Sequence, residues 1–376
     1  MQSVEIKRVL VRVPNWVGDA VMALPALRAL RRIFESSHVA LLARPWVAGL
    51  FEDEQLADQI ILTRASTARE FVTESRRLRR ERFDLAVLLQ NAFSAALMAR
   101  AAGVGKVAGY PTDRRRLLLG PVVPLDPART ESHQVFYYLG IAEWVHRAFC
   151  RSDSALDLDT IPRLTASAAQ RDQAGDLLAR HGIRLNAPGV KGIEPASARN
   201  QSIDSAPGIL AINPGATNSR AKRWHADRFA AVADRLAESA GLQTIIIGTE
   251  RDTEVALQVA SQMKSPAAVL AGSTTISALK GVLACSTLVI SNDTGAAHVS
   301  AALGIPTVVV FGPTEHFATH PFSGCSTVVR HDVECSPCML RDCPIDHRCM
   351  TGVECDDVLN AAERLLAAKD FGAQGW

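Results

Sequence analysis

Leu288 to Gly304, LVISNDTGAAHVSAALG, is the stretch whose reading decides the fold. Leu288, Val289 and Ile290 form a short apolar run of the kind that makes a strand covered on both faces. Ser291, Asn292 and Asp293 end that strand, and a small-residue helix begins near Ala296 and carries His298 one turn in. A strand that gives way to a helix at Asp293-Thr294-Gly295 gathers free backbone N–H groups and the positive end of a helix dipole at one place, which suits a phosphate. Gly295 permits close approach of a ligand, and the Thr294 hydroxyl adds a donor. An Asp/Thr helix cap over a buried histidine is the competing reading, and the surrounding chain decides between them.

Working outward, the same strand–loop–helix unit recurs. Thr307 to Phe311 is a strand after it. Before it come strands at Ile209 to Ile212, Thr244 to Ile247 and Ala268 to Ala271, with helices between them. Towards the amino terminus, Arg8 to Val13, His38 to Ala43, Gln59 to Leu62 and Asp84 to Leu89 read as strands, again alternating with helical periodicity. The expected fold class is therefore α/β, with two doubly wound domains in series. Ala166 to His181 reads as a helix closed by Gly182. Leu185 to Gly208 is an Ala/Pro/Ser/Gly/Asn run that reads as a flexible insertion between domains. The expected boundaries are 1–163, 164–354 with the insertion at 185–208, and 355–376, the last holding a helix whose apolar stripe must be buried.

Composition narrows the function. A chain of 376 residues is too long for one ordinary core, and 48% hydrophobic with 21% charged residues marks a globular protein. A net charge of +2 argues against nucleic acid as a partner. No apolar run reaches the ~18 residues of a membrane span. Val4 to Val13 reads as a charged strand rather than a signal peptide, so a cytoplasmic protein with reduced thiols is expected. Charge is uneven, however. Seven arginines stand against three glutamates between Arg64 and Arg82, and Arg114-Arg115-Arg116 forms a second basic knot. These are either solvated faces or a surface for a polyanionic acceptor or an anionic leaflet.

Four loops at expected strand ends carry the chemistry. Gly18-Asp19 follows the first strand; one glycine is not a dinucleotide fingerprint, and Asp19 can simply cap a helix. Lys222 precedes a helix and can neutralise a phosphate. Glu250 can accept two sugar hydroxyls or favour a helix dipole. Gly103 to Gly109, GVGKVAG, lacks the ending of a P-loop. Cys335, Cys338, Cys343, Cys349 and Cys355 are spaced too irregularly for paired CxxC hairpins, and reduced, partly buried thiols are expected there rather than a metal.

Together, VPNWVGDAVMALPALRAL (13–30), NPGA (213–216), AKRW (221–224), SNDTGAAHVSAALG (291–304), FGPT (311–314) and CSPCMLRDCPIDHRCM (335–350) resemble the ADP-heptose:lipopolysaccharide heptosyltransferases, glycosyltransferase family 9, and within it the heptosyltransferase II type. The resemblance covers nearly the whole chain; Asn218-Ser219-Arg220 and the long insertion depart from the family's pattern. It implies a GT-B fold, two Rossmann-like domains facing a central cleft with the last helix crossing back to the first. It also implies an inverting, metal-independent transfer of heptose from ADP-heptose to Kdo2-lipid A or heptosyl-Kdo2-lipid A, with no resident cofactor, at the cytoplasmic face of the inner membrane. On that reading Asp19 resembles the catalytic base and Lys222 the phosphate-binding lysine. Asp293, Thr294, Gly295 and His298 resemble the donor loop, and Thr217 and Glu250 nucleotide and sugar contacts. Arg76, Arg77, Arg79, Arg80, Arg114, Arg115 and Arg116 are candidates to hold the acceptor. The alternatives are a related GT-B transferase with another nucleotide-sugar, or a catalytically silent nucleotide-sugar or lipid A binding protein.

Overall fold

A computed structural model describes residues 6–149, 156, 158–185 and 207–368. The chain divides into two compact units, Met1–Thr165 with Phe317–Ser323, and Ala166–His316 with Gly324–Trp376.

In the first unit five strands form one sheet: β1 (Arg8–Arg12), β2 (His38–Ala43), β3 (Gln59–Leu62), β4 (Leu85–Leu88) and β5 (Lys106–Ala108). Their order is β3-β2-β1-β4-β5 and all pairings are parallel. In the second unit six strands, β6 (Ile209–Asn213), β7 (Gln243–Ile246), β8 (Ala267–Val269), β9 (Leu288–Asn292), β10 (Thr307–Phe311) and β11 (Ser326–Arg330), are ordered β11-β10-β9-β6-β7-β8, again all parallel. Helices between successive strands cover both faces, which is why β4, β6, β9 and β10 are buried at every position. The order reverses between β1 and β4 and again between β6 and β9. Crevices at the carboxyl ends of strands flanking such a reversal are where open α/β sheets bind ligands.

Local sequence explains most boundaries. The helical pattern after β1 breaks into Val17–Met22 and Leu24–Ile33, because Pro25 suits only the first turn of a helix. Gly281 is dictated by packing: a Cβ there would stand 2.2 Å from the backbone oxygen of Gln170, where helix Ile276–Ala284 meets helix Ala168–Arg180.

Two expectations change. Among the described residues the closing helix, Cys355–Ala367, belongs to the second unit rather than to the first. Its buried face of Val358, Leu359, Ala361, Ala362 and Leu365 packs on β9, β10, β11 and helix Ala226–Ala240, where a complementary apolar surface awaits it. The stretch after β10 that joins the first unit is Phe317–Ser323, held by the His133 ring bonding His320 O at 2.8 Å and stacking on Phe322. The insertion is not an interdomain linker either, since helix Ala168–Arg180 and β6 on its two sides both belong to the second unit; residues 186–206 of it lie outside the described residues.

Candidate functional site

At the β6/β9 reversal the two strand ends are tied to each other. Asn292, fully buried, donates through Nδ2 to Pro214 O at 2.8 Å and accepts through Oδ1 from the Trp224 backbone N–H at 3.0 Å. Trp224 is itself buried, donates its indole N–H to Val353 O at 3.0 Å and meets Phe229 edge to face. A large aromatic in the core thus fixes the three-residue turn Arg220–Lys222 immediately before it.

That turn places the Lys222 ammonium 2.7 Å from Asp293 Oδ2, and the same oxygen accepts from the Thr314 hydroxyl at 2.8 Å. The Asp293 side chain is 8% exposed and that of Lys222 26%. Asp293 is therefore not a bare loop acid. It holds Lys222 at the strand ends while the lysine side chain stays partly exposed. Thr294 occupies the cap position of helix Gly295–Ala302 but makes no side-chain cap bond. Its hydroxyl is taken by Asn213 Nδ2 at 2.7 Å and by Ser291 Oγ at 3.1 Å. The expectation of a free Thr294 donor is corrected accordingly. What the helix presents is its first-turn N–H groups, without a side-chain cap, beside an ammonium, which is an anion-binding arrangement. His298 is buried one turn further in.

A second pair of loops adjoins it within the unit. Thr217 Oγ1 lies 3.1 Å from both Thr249 Oγ1 and Asp252 Oδ2, and Thr249 donates to the same carboxylate at 2.6 Å. Asp252 is buried and comes so close to Gly215 that a Cβ there would sit 2.2 Å from its Cγ, so only glycine fits the NPGA turn. Glu250 is exposed beside this knot.

The cysteine-rich segment braces the Lys222 turn from outside. Ala221 N–H bonds Arg341 O at 3.0 Å, Arg220 pairs with Asp342 at 2.7 Å, and the His347 ring donates from Nε2 to Ala221 O at 2.6 Å. Its thiols are free, with Cys335 and Cys338 exposed and Cys349 buried. Burial raises the Cys349 thiol above its usual range, with Cys335, Cys338 and Cys343 adding to the effect. Among the described residues no group of three or more His, Cys, Asp or Glu is placed to hold a metal ion.

In the first unit Asp19 stands in the first turn of helix Val17–Met22, just past the carboxyl end of β1. The cap position belongs to Trp16, which makes no side-chain cap bond, so Asp19 is not the cap residue. The Tyr138 hydroxyl, from helix Gln134–Phe149, donates to Asp19 Oδ1 at 3.3 Å. Burial pushes the Tyr138 phenol well above its usual value and the Asp19 charge pushes it further, so it stays a donor.

The arginines do not share this edge as one group. Arg115 is fully buried, donating to Tyr110 O at 2.9 Å, to Gln90 O and to Asn91 Oδ1 at 2.7 Å, so it is removed from the acceptor candidates as a structural cation. Arg114 and Arg116 are exposed beside it. Arg76, Arg77, Arg79 and Arg80 lie in the last two turns of helix Ala68–Arg80, which leads to Glu81 and Asp84; these acids bond Arg8 at the start of β1. The helix end therefore lies towards the amino edge of the sheet, a strand length from Asp19.

A family model described as glycosyltransferase family 9 (heptosyltransferase) matches residues 73–348. Lipooligosaccharide heptosyltransferase 2 of Campylobacter jejuni subsp. jejuni serotype O:2 is 27% identical over 96% of this chain and 98% of its own length. Lipopolysaccharide heptosyltransferase 2 of Escherichia coli K12 is 25% identical over 86% of this chain and 88% of its own length. The solved structure of E. coli ADP-heptose LPS heptosyltransferase II superposes with a TM-score of 0.75 at 23% identity, covering 96% of this chain and 98% of that one.

Proposed function

This chain belongs to glycosyltransferase family 9, the heptosyltransferases, and from that premise we propose that it moves heptose from ADP-heptose to the lipopolysaccharide inner core, on Kdo2-lipid A or its heptosylated form. The observation that carries the reading is the Lys222–Asp293–Thr314 arrangement beside the uncapped start of helix Gly295–Ala302. The names of relatives matched along most of the chain support the same donor and acceptor.

In this reading the donor's diphosphate meets Lys222 and the helix N–H groups, while Thr217 and Glu250 lie where nucleotide or sugar hydroxyls can be met. Asp19 accepts the proton of the acceptor hydroxyl as its oxygen bonds the anomeric carbon. The bond from that carbon to the phosphate oxygen breaks in the same step, so configuration inverts and ADP leaves. Charge developing on the leaving diphosphate is met by an ammonium and backbone dipoles already in place. The acceptor is lipid-borne, and no helix among the described residues is long and apolar enough to cross a membrane, which fits a peripheral position at the inner membrane.

The test is transfer from ADP-heptose to Kdo2-lipid A with and without the first heptose. Preferred turnover of another nucleotide-sugar, or binding with no turnover, rejects the assignment in favour of the two alternatives. Because Lys222 and the helix supply the charge, enzyme stripped with a chelator is expected to keep its rate; a loss restored by Mg²⁺ contradicts that part. Tyr138→Phe tests the positioning of the base. Removing a bond to the ionised carboxylate is expected to move the acid limb of the kcat/KM profile to higher pH and to lower kcat by less than about tenfold, with donor KM unchanged. An unmoved profile removes Tyr138 from the reaction.

A further inference from the structure

Helix Phe93–Ala101 has an outer face with no charge on it. Phe93, Leu97 and Ala101, spaced four apart, are all exposed, Phe93 at 48% and Leu97 at 37%. The helix's only charged residue, Arg100, is folded inward, donating to Leu118 O at 2.7 Å and Gly105 O at 2.7 Å. Helices on a water-facing surface carry polar residues outward, whereas this one is apolar outside as well as on its buried face of Ala95, Ala96, Met98 and Ala99. The bond to Leu118 brings the turn Arg116–Leu118 alongside, and Leu117 on it is 95% exposed, the most exposed large apolar side chain among the described residues.

Arginines flank the apolar strip on both sides. Arg114 and Arg116 lie on the turn. On the other side helix Ala68–Arg80 packs against helix Phe93–Ala101, and Arg79 lies so near Gly103 that a Cβ there would be 3.3 Å from its Nε. Arg76, Arg79, Arg80, Arg114 and Arg116 are exposed, and among the described residues none of their side chains makes a hydrogen bond or ion pair. The helix's own acids are otherwise engaged or buried: Glu70 closes a capping box and Glu74 is buried. Asp113 is the exposed acid on the turn.

We propose that the face formed by helices Ala68–Arg80 and Phe93–Ala101 and the turn Arg114–Leu118 docks on an anionic phospholipid bilayer. Apolar side chains between two basic rims match the boundary between acyl chains and acidic headgroups. Leu117 stands almost clear of the protein, which suits a fluid phase it can sink into rather than a preformed pocket. This gives the basic residues a partner without placing them at Asp19. The purpose of such a face, bringing the enzyme to a lipid-borne acceptor, rests on the proposed function; the surface itself does not.

The full-length protein is to be sedimented with phosphatidylcholine vesicles and with mixed phosphatidylcholine–phosphatidylglycerol vesicles at several salt concentrations. Binding to the anionic vesicles, weakening as salt rises, is expected, with little to the neutral ones. The Arg76→Ala/Arg79→Ala/Arg80→Ala variant should bind about a hundredfold more weakly, at about fivefold per arginine. Leu97→Glu/Leu117→Glu should lose measurable binding while keeping its melting temperature. The proposal is overturned if the wild type ignores anionic vesicles, or binds both kinds alike. It also fails if the variants bind as the wild type does, or if the strip proves to be covered by a second copy in a dimer that Leu97→Glu/Leu117→Glu dissociates. Binding is read without donor or acceptor, and the leucine variant should transfer heptose to a deacylated, water-soluble acceptor at the wild-type rate. Failure of the docking face is thereby separated from failure of the transferase reading.

Discussion

Asp19→Asn is expected to lower turnover at saturating donor and acceptor by about 10²- to 10⁴-fold, roughly 3–5 kcal/mol of barrier, in a protein that melts as the wild type does. The substitution removes charge and basicity at almost constant volume. Asparagine keeps an oxygen able to accept from Tyr138, so the 3.3 Å contact has a replacement. Trp16, not Asp19, holds the cap position, so no cap is lost. If Asp19 served only the dipole of helix Val17–Met22, the change would cost a few tenths of a kcal/mol in stability and leave turnover near normal. Turnover and a melting curve on the same preparation separate the two. Near-normal turnover rejects Asp19 as the base.

Lys222→Ala is expected to weaken donor binding by about 10- to 150-fold, about 1.5–3 kcal/mol, with little change in acceptor KM. It also strands Asp293, whose nearly buried carboxylate then keeps only the Thr314 hydroxyl among the bonds found here. Leaving such a group without its partner costs about 1–3 kcal/mol of stability. Adding Asp293→Asn to Lys222→Ala is therefore expected to recover most of the lost melting temperature while donor affinity stays low. Titration of ADP into the two variants and the wild type measures the first effect, and thermal melts measure the second. Equal ADP affinity in all three proteins would sink the phosphate assignment. A double variant as unstable as the single one would show that the Lys222–Asp293 pair does not brace the site.

The legible part of this protein was local. Apolar runs bounded by Gly, Pro and Asp marked nine of the eleven strands among the described residues, and loops after them placed Asp19, Lys222, Glu250 and Asp293 at carboxyl ends of parallel strands. The two missed strands had weak local signals. β5 is three residues inside the glycine-bearing GVGKVAG, and β11 is a half-buried edge strand. Helix breaks also followed local chemistry, as at Pro25.

Pairings between distant residues were not legible. Tyr138 meets Asp19 across 119 positions, and Lys222 meets Asp293 across 71. Asp252 shapes the NPGA turn although no motif announces it. Arg115 read as part of a surface knot and is wholly buried, because Tyr110 O of its own loop and Gln90 O and Asn91 Oδ1 of the loop after β4 converge on its guanidinium. The closing helix carried an apolar stripe whose burial was certain and whose partner was not. Periodicity states that a face must leave water; it says nothing about which of several apolar surfaces receives it. By itself, then, the sequence determined the α/β class, the run of parallel strands and the loops that carry the chemistry. The tertiary structure decided which loop residues hold one another, which arginines remain free and where the last helix rests, because those depend on strand order and on shape complementarity between segments far apart in the chain.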